Sequence, residues 1–202
     1  MAVSGQKNEE VLRFVKKQGM IRVRDAIAHG IHPEYLRRLC EKGLLMKLSR
    51  GIYIPADSEI SQNIGLVQVA KRVPQGVICL LSALQYHEIG TQSPFEIWIA
   101  VNPREAKPQI DYPPVRVVRF SGQALTEGIE EHLIEGVEIK VYNPAKTIAD
   151  CFKYRNKIGL DIALEALKDC RQRKLCTNDQ FWEYAKICRV SNVMKPYLEA
   201  TQ

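Results

Sequence analysis

The sequence predicts an α+β protein, with an N-terminal winged helix-turn-helix followed by a C-terminal domain in which several α-helices pack a small β-sheet. Three observations predict this class. The first quarter of the chain has the order helix, helix, arginine-bearing helix and basic hairpin. The apolar residues then switch between helical and alternating spacing, and nearly all of the net charge of +6 lies before residue 58. We therefore expect two domains, residues 1–57 and 58–202.

The first two predicted helices both end before a glycine. Apolar residues at helical spacing between Val11 and Val15 indicate the first helix, which ends at Gly19, where a residue without a Cβ atom can adopt a left-handed conformation. A β-prone stretch at 20–23 leads into a helix of barely two turns at 24–29. A short second helix of this kind suits the turn of a helix-turn-helix.

The third predicted helix has clear limits and two chemically different faces. It starts with Pro33 at a position suited to the first helical residue, places Glu34 in the positively polarised first turn, and stops at Gly43. The face suited to packing contains Leu36, Leu39 and Cys40. Opposite or beside this face lie Tyr35, Arg37, Arg38 and Lys42. The second face is therefore free to enter a groove.

A basic hairpin follows this helix. In the run L-L-M-K-L-S-R-G-I-Y-I-P, the turn residues Ser49, Arg50 and Gly51 separate two apolar-rich strands, and Pro55 ends the second strand. The hairpin would be a wing with Lys47 and Arg50 near its tip. Phosphate contacts need cations on the same side as the helix that enters the groove, so this order favours nucleic-acid binding over a merely solvated surface.

The charge distribution agrees with this interpretation. Residues 1–57 contain 11 Lys and Arg against 6 Asp and Glu, whereas residues 58–202 contain 18 against 17. Such an asymmetry is expected when one module contacts a polyanion and the remainder of the chain has another role.

Composition excludes several other classes. No apolar run approaches the roughly 20 residues of a membrane span, and no signal-peptide core precedes the first helix, so we expect a cytoplasmic protein. No glycine-rich phosphate loop follows a predicted strand. The cysteines show no C-x-x-C pair, which predicts free thiols without a disulfide, a metal or another cofactor. They are Cys40, Cys79, Cys151, Cys170, Cys176 and Cys188.

The second domain is predicted to mix helices and strands. Helical spacing predicts helices at 63–73, 77–87, 144–154, 160–170 and 193–198, the last interrupted by Pro196. Alternating spacing predicts strands at 95–101, 115–120 and 137–142. Asn143 is expected to cap the helix that begins at Pro144, and Thr177 with Gln180 matches a capping box. His132 falls in a predicted loop or short helix.

The sequence contains no convincing catalytic constellation, so we do not expect an enzyme. Lys146 and Asp150 lie four residues apart after a strand, where they could hold phosphate and metal, but an intrahelical ion pair explains the same spacing better. His87 could act as a general base, although its place near a helix C-terminus is explained by the helix dipole.

Four segments resemble one protein family across nearly the whole chain. Three of them begin R-V-R-D-A-I-A-H-G, V-I-C-L-L-S-A-L and N-P-A-K-T-I-A-D, and the fourth is V-M-K-P-Y-L-E-A. The part from Lys146 to Leu167 is the most specific. The chain resembles the AbiEi antitoxins of bacterial abortive-infection systems. This resemblance implies a type IV toxin–antitoxin protein that represses its own operon by binding double-stranded DNA at inverted repeats in the promoter. It also implies that the C-terminal domain counters a toxin of the nucleotidyltransferase class without a stable complex.

Residue roles follow by position in this sequence. We expect DNA contacts from Arg22, Arg24, Tyr35, Arg37, Arg38, Lys42, Lys47, Ser49 and Arg50. Two of the residues on the third helix and the wing would read base edges and the others would hold phosphates, whereas Arg22 and Arg24 would contact phosphate or stay solvated. Lys146 and Asp150 are the candidate antitoxicity surface.

Two alternatives and the oligomeric state stay open at this point. The C-terminal domain could be a nucleic-acid-processing enzyme with a degenerate nuclease-like site at Lys146 and Asp150. The winged helix could instead belong to a protein-interaction module that binds its toxin directly. Inverted repeats require two copies on DNA, which is compatible with a monomer in solution or a dimer on DNA.

Overall fold

Helices and strands of the N-terminal part lie where the residue pattern predicts them. The computed structural model describes residues 2–58, 63–110 and 112–199, with side chains described from Lys7 onward. The N-terminal elements are α1 (Ala2–Gln18), β1 (Ile21–Arg22), α2 (Val23–Ala28), α3 (Pro33–Glu41), β2 (Leu45–Ser49), β3 (Ile52–Pro55) and α4 (Ile64–Arg72). Together they confirm the predicted helix-turn-helix and wing.

The remaining elements form a mixed second part. They are β4 (Val77–Ile78), α5 (Leu80–Tyr86), β5 (Ile97–Val101), β6 (Val115–Arg119), α6 (Gln123–Thr126), β7 (Ile129–Ile134), β8 (Val137–Tyr142), α7 (Pro144–Lys153), α8 (Arg155–Ile158), α9 (Leu160–Gln172), α10 (Asn178–Ile187) and α11 (Ser191–Glu199). The chain divides into two compact units. The first contains the described residues up to Arg72 together with Leu133–Glu138, and the second contains Val73–His132 and the described residues from Ile139.

The first unit is built on a three-stranded antiparallel sheet and a small apolar core. The strand order is β1-β3-β2, and the β2–β3 register shifts between Lys47 and Ser49. The core contains Val11, Val15, Ile21, Ala26, Ile31, Leu36, Leu39 and Leu45. The inward face predicted for α3 is therefore confirmed, with Cys40 only half-buried at its edge.

The limits predicted for α3 are also confirmed. His32 is the N-cap, and its Nδ1 atom accepts a hydrogen bond from the backbone N–H of Glu34 at 3.2 Å. Pro33 occupies the first helical position, and Gly43 follows the helix with a φ of +67°, which a residue with a Cβ atom rarely adopts.

The second unit contains more strands than predicted. Its five-stranded sheet has the order β6-β5-β4-β8-β7, with β4 antiparallel to β5 and parallel to β8, and β5 parallel to β6. The single helix predicted at 77–87 is wrong, because Val77 and Ile78 form a central strand before α5 begins at Leu80. A short, wholly buried apolar run has no period that separates strand from helix.

Strand β7 corrects a second prediction. Its segment, which includes His132, was expected to be a loop or a short helix. Glu135 and Gly136 both have positive φ, as in the two-residue turns that join antiparallel strands. A glycine at the second position of such a turn is the sequence signal that could have identified this strand. Pro196 gives a third correction, since it lies within α11 and does not interrupt the helix.

Helix α7 is the centre of the second unit. Each residue from Ala145 to Phe152 is buried, and the helix packs against α5, α9, α10 and α11. The predicted cap is confirmed, because Asn143 Oδ1 accepts a hydrogen bond from the backbone N–H of Lys146 at 2.9 Å. The side-chain amide of Asn143 also donates to the Tyr184 hydroxyl at 2.8 Å, which ties the start of α7 to α10.

Two charged side chains lie inside this apolar environment. Lys146 and Asp150 are both fully buried, and Lys146 Nζ lies 2.5 Å from Asp150 Oδ2. The thiol of Cys188 donates to the other carboxylate oxygen at 3.2 Å, and Lys146 Nζ lies 4.0 Å from the centroid of the Tyr142 ring. Burial raises the pKa of Asp150 above its ordinary value, although Lys146 opposes this shift.

We expect separate loss of either charge to destabilise the second unit more than loss of both. Lys146→Met or Asp150→Leu should each lower the free energy of unfolding by about 3–5 kcal/mol, because one buried charge is left uncompensated. The double variant Lys146→Met/Asp150→Leu should lose less than the sum of the two. Urea unfolding followed by tryptophan fluorescence measures this, since both tryptophans, Trp98 and Trp182, belong to the second unit.

The exposed pair Lys195–Glu199 on α11 provides a control with the same i,i+4 spacing. Lys195→Met should have little effect, because exposed ion pairs contribute little to stability. Additive losses in the variants of the buried pair would contradict the coupling.

Candidate nucleic-acid interface

Strand pairing brings the start of α2 beside the turn of the wing. Arg22 of β1 lies opposite Ile52 of β3, and the backbone N–H of Val23 donates to the Gly51 carbonyl at 2.9 Å. Arg24 lies on the exposed side of this junction. The candidate surface therefore includes the entry to α2 and the wing, two segments that lie far apart in sequence.

Glu34 holds both arginines of α3. Arg37 forms a bidentate contact with its carboxylate, with Nε at 3.0 Å from Oε2 and Nη2 at 2.9 Å from Oε1. Arg38 Nε donates to Oε1 at 3.2 Å. One half-exposed carboxylate thus neutralises part of the charge on the face that was predicted to enter a groove.

The electrostatics of this contact follow from its geometry. The hydrogen bond from Arg37 is the main cause that lowers the pKa of Glu34 below its ordinary value, and Arg38 adds to it. Arg37 also lies 3.7 Å from Glu41. Because these side chains are solvated, phosphate can displace the carboxylates from the guanidinium groups. The spacing of Glu34 to Arg37 and Arg38 along the helix was the sequence signal for this contact.

Arg22 is less available than the arginines of α3. Its Nε and Nη2 atoms donate to the two carboxylate oxygens of Asp25 at 2.9 and 3.1 Å, and its side chain is only 15% exposed. Burial acts to raise the pKa of Asp25, but the hydrogen bond and charge of Arg22 outweigh it, so that pKa is lowered. This geometry favours a bracing role for Arg22 at the β1–α2 junction.

Four other candidates are exposed and take part in no ion pair among the residues that the structure describes. They are Arg24, Lys42, Lys47 and Arg50. Their ammonium and guanidinium groups are available to a phosphate without the loss of an existing partner.

Sequence reasoning missed a residue that supports the wing. Arg72, at the end of α4, donates from Nη2 to Ser49 Oγ at 3.0 Å and to the Arg50 carbonyl at 2.9 Å. Ser49 accepts this bond, so its own hydroxyl hydrogen can still be donated to a phosphate. No local pattern connects residues 23 positions apart, which is why the contact was not predicted.

Tyr35 has a different environment from the other residues of its face. It is half-buried and packs against the apolar core of the first unit. Its ring therefore contributes to packing as well as to the exposed edge of α3.

The candidate residues of the second unit do not lie at a surface. The sequence predicts Lys146 and Asp150 as an antitoxicity surface or, alternatively, as a nuclease-like site, but both residues are fully buried. They form the intrahelical pair that their spacing favoured. His87 caps α5, and its Nε2 lies 2.8 Å from the Tyr142 carbonyl oxygen.

The described residues contain neither a metal-binding cluster nor a membrane-spanning helix. Across 2–58, 63–110 and 112–199, no group of three or more His, Cys, Asp or Glu side chains is arranged to hold a metal ion. None of the helices in these ranges has the length and apolar character needed to cross a membrane.

Comparison with known proteins is informative for the fold and for the N-terminal segment. The structure is similar to the crystal structure of the RV2827C protein from Mycobacterium tuberculosis, with a TM-score of 0.62 and 14% sequence identity, over 92% of this chain and 72% of that chain. This likeness shows the fold alone. No curated protein sequence matches the chain.

The N-terminal segment is also similar to one known protein family. Residues 9–56 match a family model described as "Transcriptional regulator, AbiEi antitoxin". The matched segment spans the helix-turn-helix and the wing, with the exposed cations of both. The resemblance drawn from the sequence is thereby confirmed, and over residues 9–56 this chain is similar to AbiEi antitoxin transcriptional regulators.

Proposed function

We propose that this protein is a cytoplasmic antitoxin and autorepressor of a type IV toxin–antitoxin operon. Its first unit binds double-stranded DNA at inverted repeats in its own promoter, with α3 in the major groove and the wing on the flanking backbone. Its second unit counters a nucleotidyltransferase-type toxin without a stable complex. Two copies occupy the inverted repeats, as a dimer that forms on DNA from a monomer in solution.

The exposed cations of the first unit are the observation that carries the DNA-binding part. Lys42 follows α3, whereas Lys47 and Arg50 belong to the wing, and no carboxylate pairs with them in the described part of the chain. Arg37 and Arg38 are a second set of cations, and a phosphate or a base edge can replace Glu34 as their partner. We assign phosphate contacts to the lysines and to Arg50, and contacts to both phosphates and base edges to the two arginines of α3.

The antitoxin part rests on the family match and on the division of the chain. The cations of the proposed DNA surface all belong to the first unit, so the second unit is available for another task. Because Lys146 and Asp150 are buried, we assign them to the stability of this unit rather than to contact with a toxin.

We expect Arg37→Ala/Arg38→Ala to weaken binding to the promoter DNA by at least about tenfold near 150 mM salt, since contacts to phosphates and base edges are lost. The slope of log K against log salt should fall by about 0.9 for each phosphate contact removed. Fluorescence anisotropy with a labelled promoter duplex, repeated over a salt series, measures both quantities.

Lys168→Ala/Lys195→Ala is the matched control, because it removes the same charge from exposed positions in the second unit. This control should retain wild-type affinity. Equal affinity of both double variants and the wild type would overturn the assigned DNA surface.

Glu34→Gln should strengthen DNA binding several-fold. The amide removes the negative charge that faces the phosphates and releases Arg37 and Arg38 from an ion pair. Glu9→Gln, on the exposed side of α1, makes the same change in net charge and should shift affinity less. Weaker binding by Glu34→Gln would show that the carboxylate orients the arginines for DNA, contrary to this expectation.

The two proposed activities should separate in cells. Arg37→Ala/Arg38→Ala should derepress a reporter placed behind the promoter and still protect cells from the co-expressed toxin. Growth with the toxin and reporter output are measured side by side. Loss of protection at normal protein levels would contradict the division of labour, and co-purification of a stable 1:1 complex with the toxin would favour direct toxin binding.

A further inference from the structure

A basic cavity lies within the second unit, whereas the candidate DNA surface belongs to the first unit. It has a volume of about 480 Å³ and lies where β6, the 121–124 segment and the ends of α7 and α10 come together. We call it the basic cavity and define it by its four cationic lining residues, Arg119, Lys153, Lys186 and Arg189. Its volume is within the range of about 300–1,000 Å³ that is typical of small-ligand sites.

The charge of this cavity is one-sided. Among the described residues that line it there is no aspartate or glutamate, although the chain beyond residue 57 has nearly equal numbers of acids and bases. Lys153, Lys186 and Arg189 are exposed and form no ion pair in the described ranges. Four cationic side chains therefore line one cavity that has no carboxylate among its lining residues.

Local helix electrostatics explain only part of this arrangement. Lys153 and Lys186 lie in the last turns of α7 and α10, where the helix dipole favours a cation. The dipole does not require the two helix ends to meet. They meet because α7 packs on α10, where the Cys188 thiol donates a hydrogen bond to Asp150. Arg119 comes from a strand, which has no comparable dipole.

Arg119 is held in place by the backbone. Its Nη1 atom donates to the carbonyl oxygens of Asn102 at 2.7 Å and Glu105 at 2.8 Å. These bonds orient the guanidinium group, and its remaining nitrogens have no partner among the described residues. A pre-oriented guanidinium with free donors is suited to the oxygen atoms of a phosphate. Phe120 and Ile187 supply the apolar part of the lining.

We propose that the basic cavity binds a small phosphate-bearing ligand of nucleotide size, whose polyphosphate group contacts the four cations and whose apolar part lies toward Phe120 and Ile187. Four cations match a ligand that carries several negative charges, such as a triphosphate, better than a single carboxylate. This site is independent of DNA binding by the first unit.

Isothermal titration calorimetry of the full chain with inorganic triphosphate, ATP, GTP and adenosine tests this proposal at about 150 mM salt. Triphosphate and both nucleotides should bind, and adenosine should not. Lys186→Gln/Arg189→Gln should weaken ATP binding at least about tenfold, since two charged hydrogen-bond donors are removed. Lys153→Gln, on a different helix, should weaken it in the same direction.

Two control variants locate the effect. Lys168→Gln/Lys195→Gln removes the same net charge from exposed positions outside the cavity and should bind ATP as the wild type does. Arg37→Ala/Arg38→Ala should also bind ATP normally, which separates this site from the proposed DNA surface. Circular dichroism and thermal melting check that each variant is folded.

Several results would overturn the proposal. They are the absence of triphosphate and nucleotide binding to the wild type, equal loss in the Lys168/Lys195 control, or loss in the Arg37/Arg38 variant. A single-stranded oligonucleotide that binds far more tightly than ATP, and that depends on Lys186 and Arg189, would assign the cavity to nucleic acid instead.

Discussion

The second unit depends on the neutralisation of two charges inside helix α7. This helix is buried from Ala145 to Phe152, so Lys146 and Asp150 have no access to water and must satisfy each other. Their i,i+4 spacing allows this within one helix, and the Cys188 thiol from α10 occupies the second carboxylate oxygen. An unpaired charge here would cost several kcal/mol, which constrains how α7 and α10 pack. The pair therefore has a structural role that its spacing suggested and its burial establishes.

This packing has a consequence at the surface. Where α7 and α10 end, Lys153 and Lys186 come together, and Arg119 from β6 and Arg189 complete the basic cavity. The same packing of α7 on α10 thus positions both the buried ion pair and the exposed cations. A near-zero net charge over residues 58–202 conceals this local separation of charge, because acids and bases are counted together wherever they lie.

In the first unit, several arginines of the candidate DNA surface already form ion pairs within the protein. Glu34 holds Arg37 and Arg38, and Asp25 holds Arg22, whereas Lys47 and Arg50 remain unpaired in the described part of the chain. In the proposed DNA complex, the paired arginines would exchange a carboxylate for DNA, which would lower their affinity for random phosphates and favour sites that also offer base-edge contacts. Arg72 hydrogen-bonds Ser49 and the Arg50 carbonyl in the wing, so part of the candidate surface is positioned by α4.

The sequence alone determined the features that depend on neighbours along the chain. The start of α3 at Pro33, the cap of α7 at Asn143 and the capping box at Thr177 are local hydrogen-bond patterns, and the structure confirms them. The sequence could not distinguish the buried strand β4 from a helix, identify β7, or show that Lys146 is buried. These features depend on which distant segments pack beside them. Apolar spacing records which residues avoid water, whereas only tertiary packing decides which charges are enclosed, which are braced and which converge on a cavity.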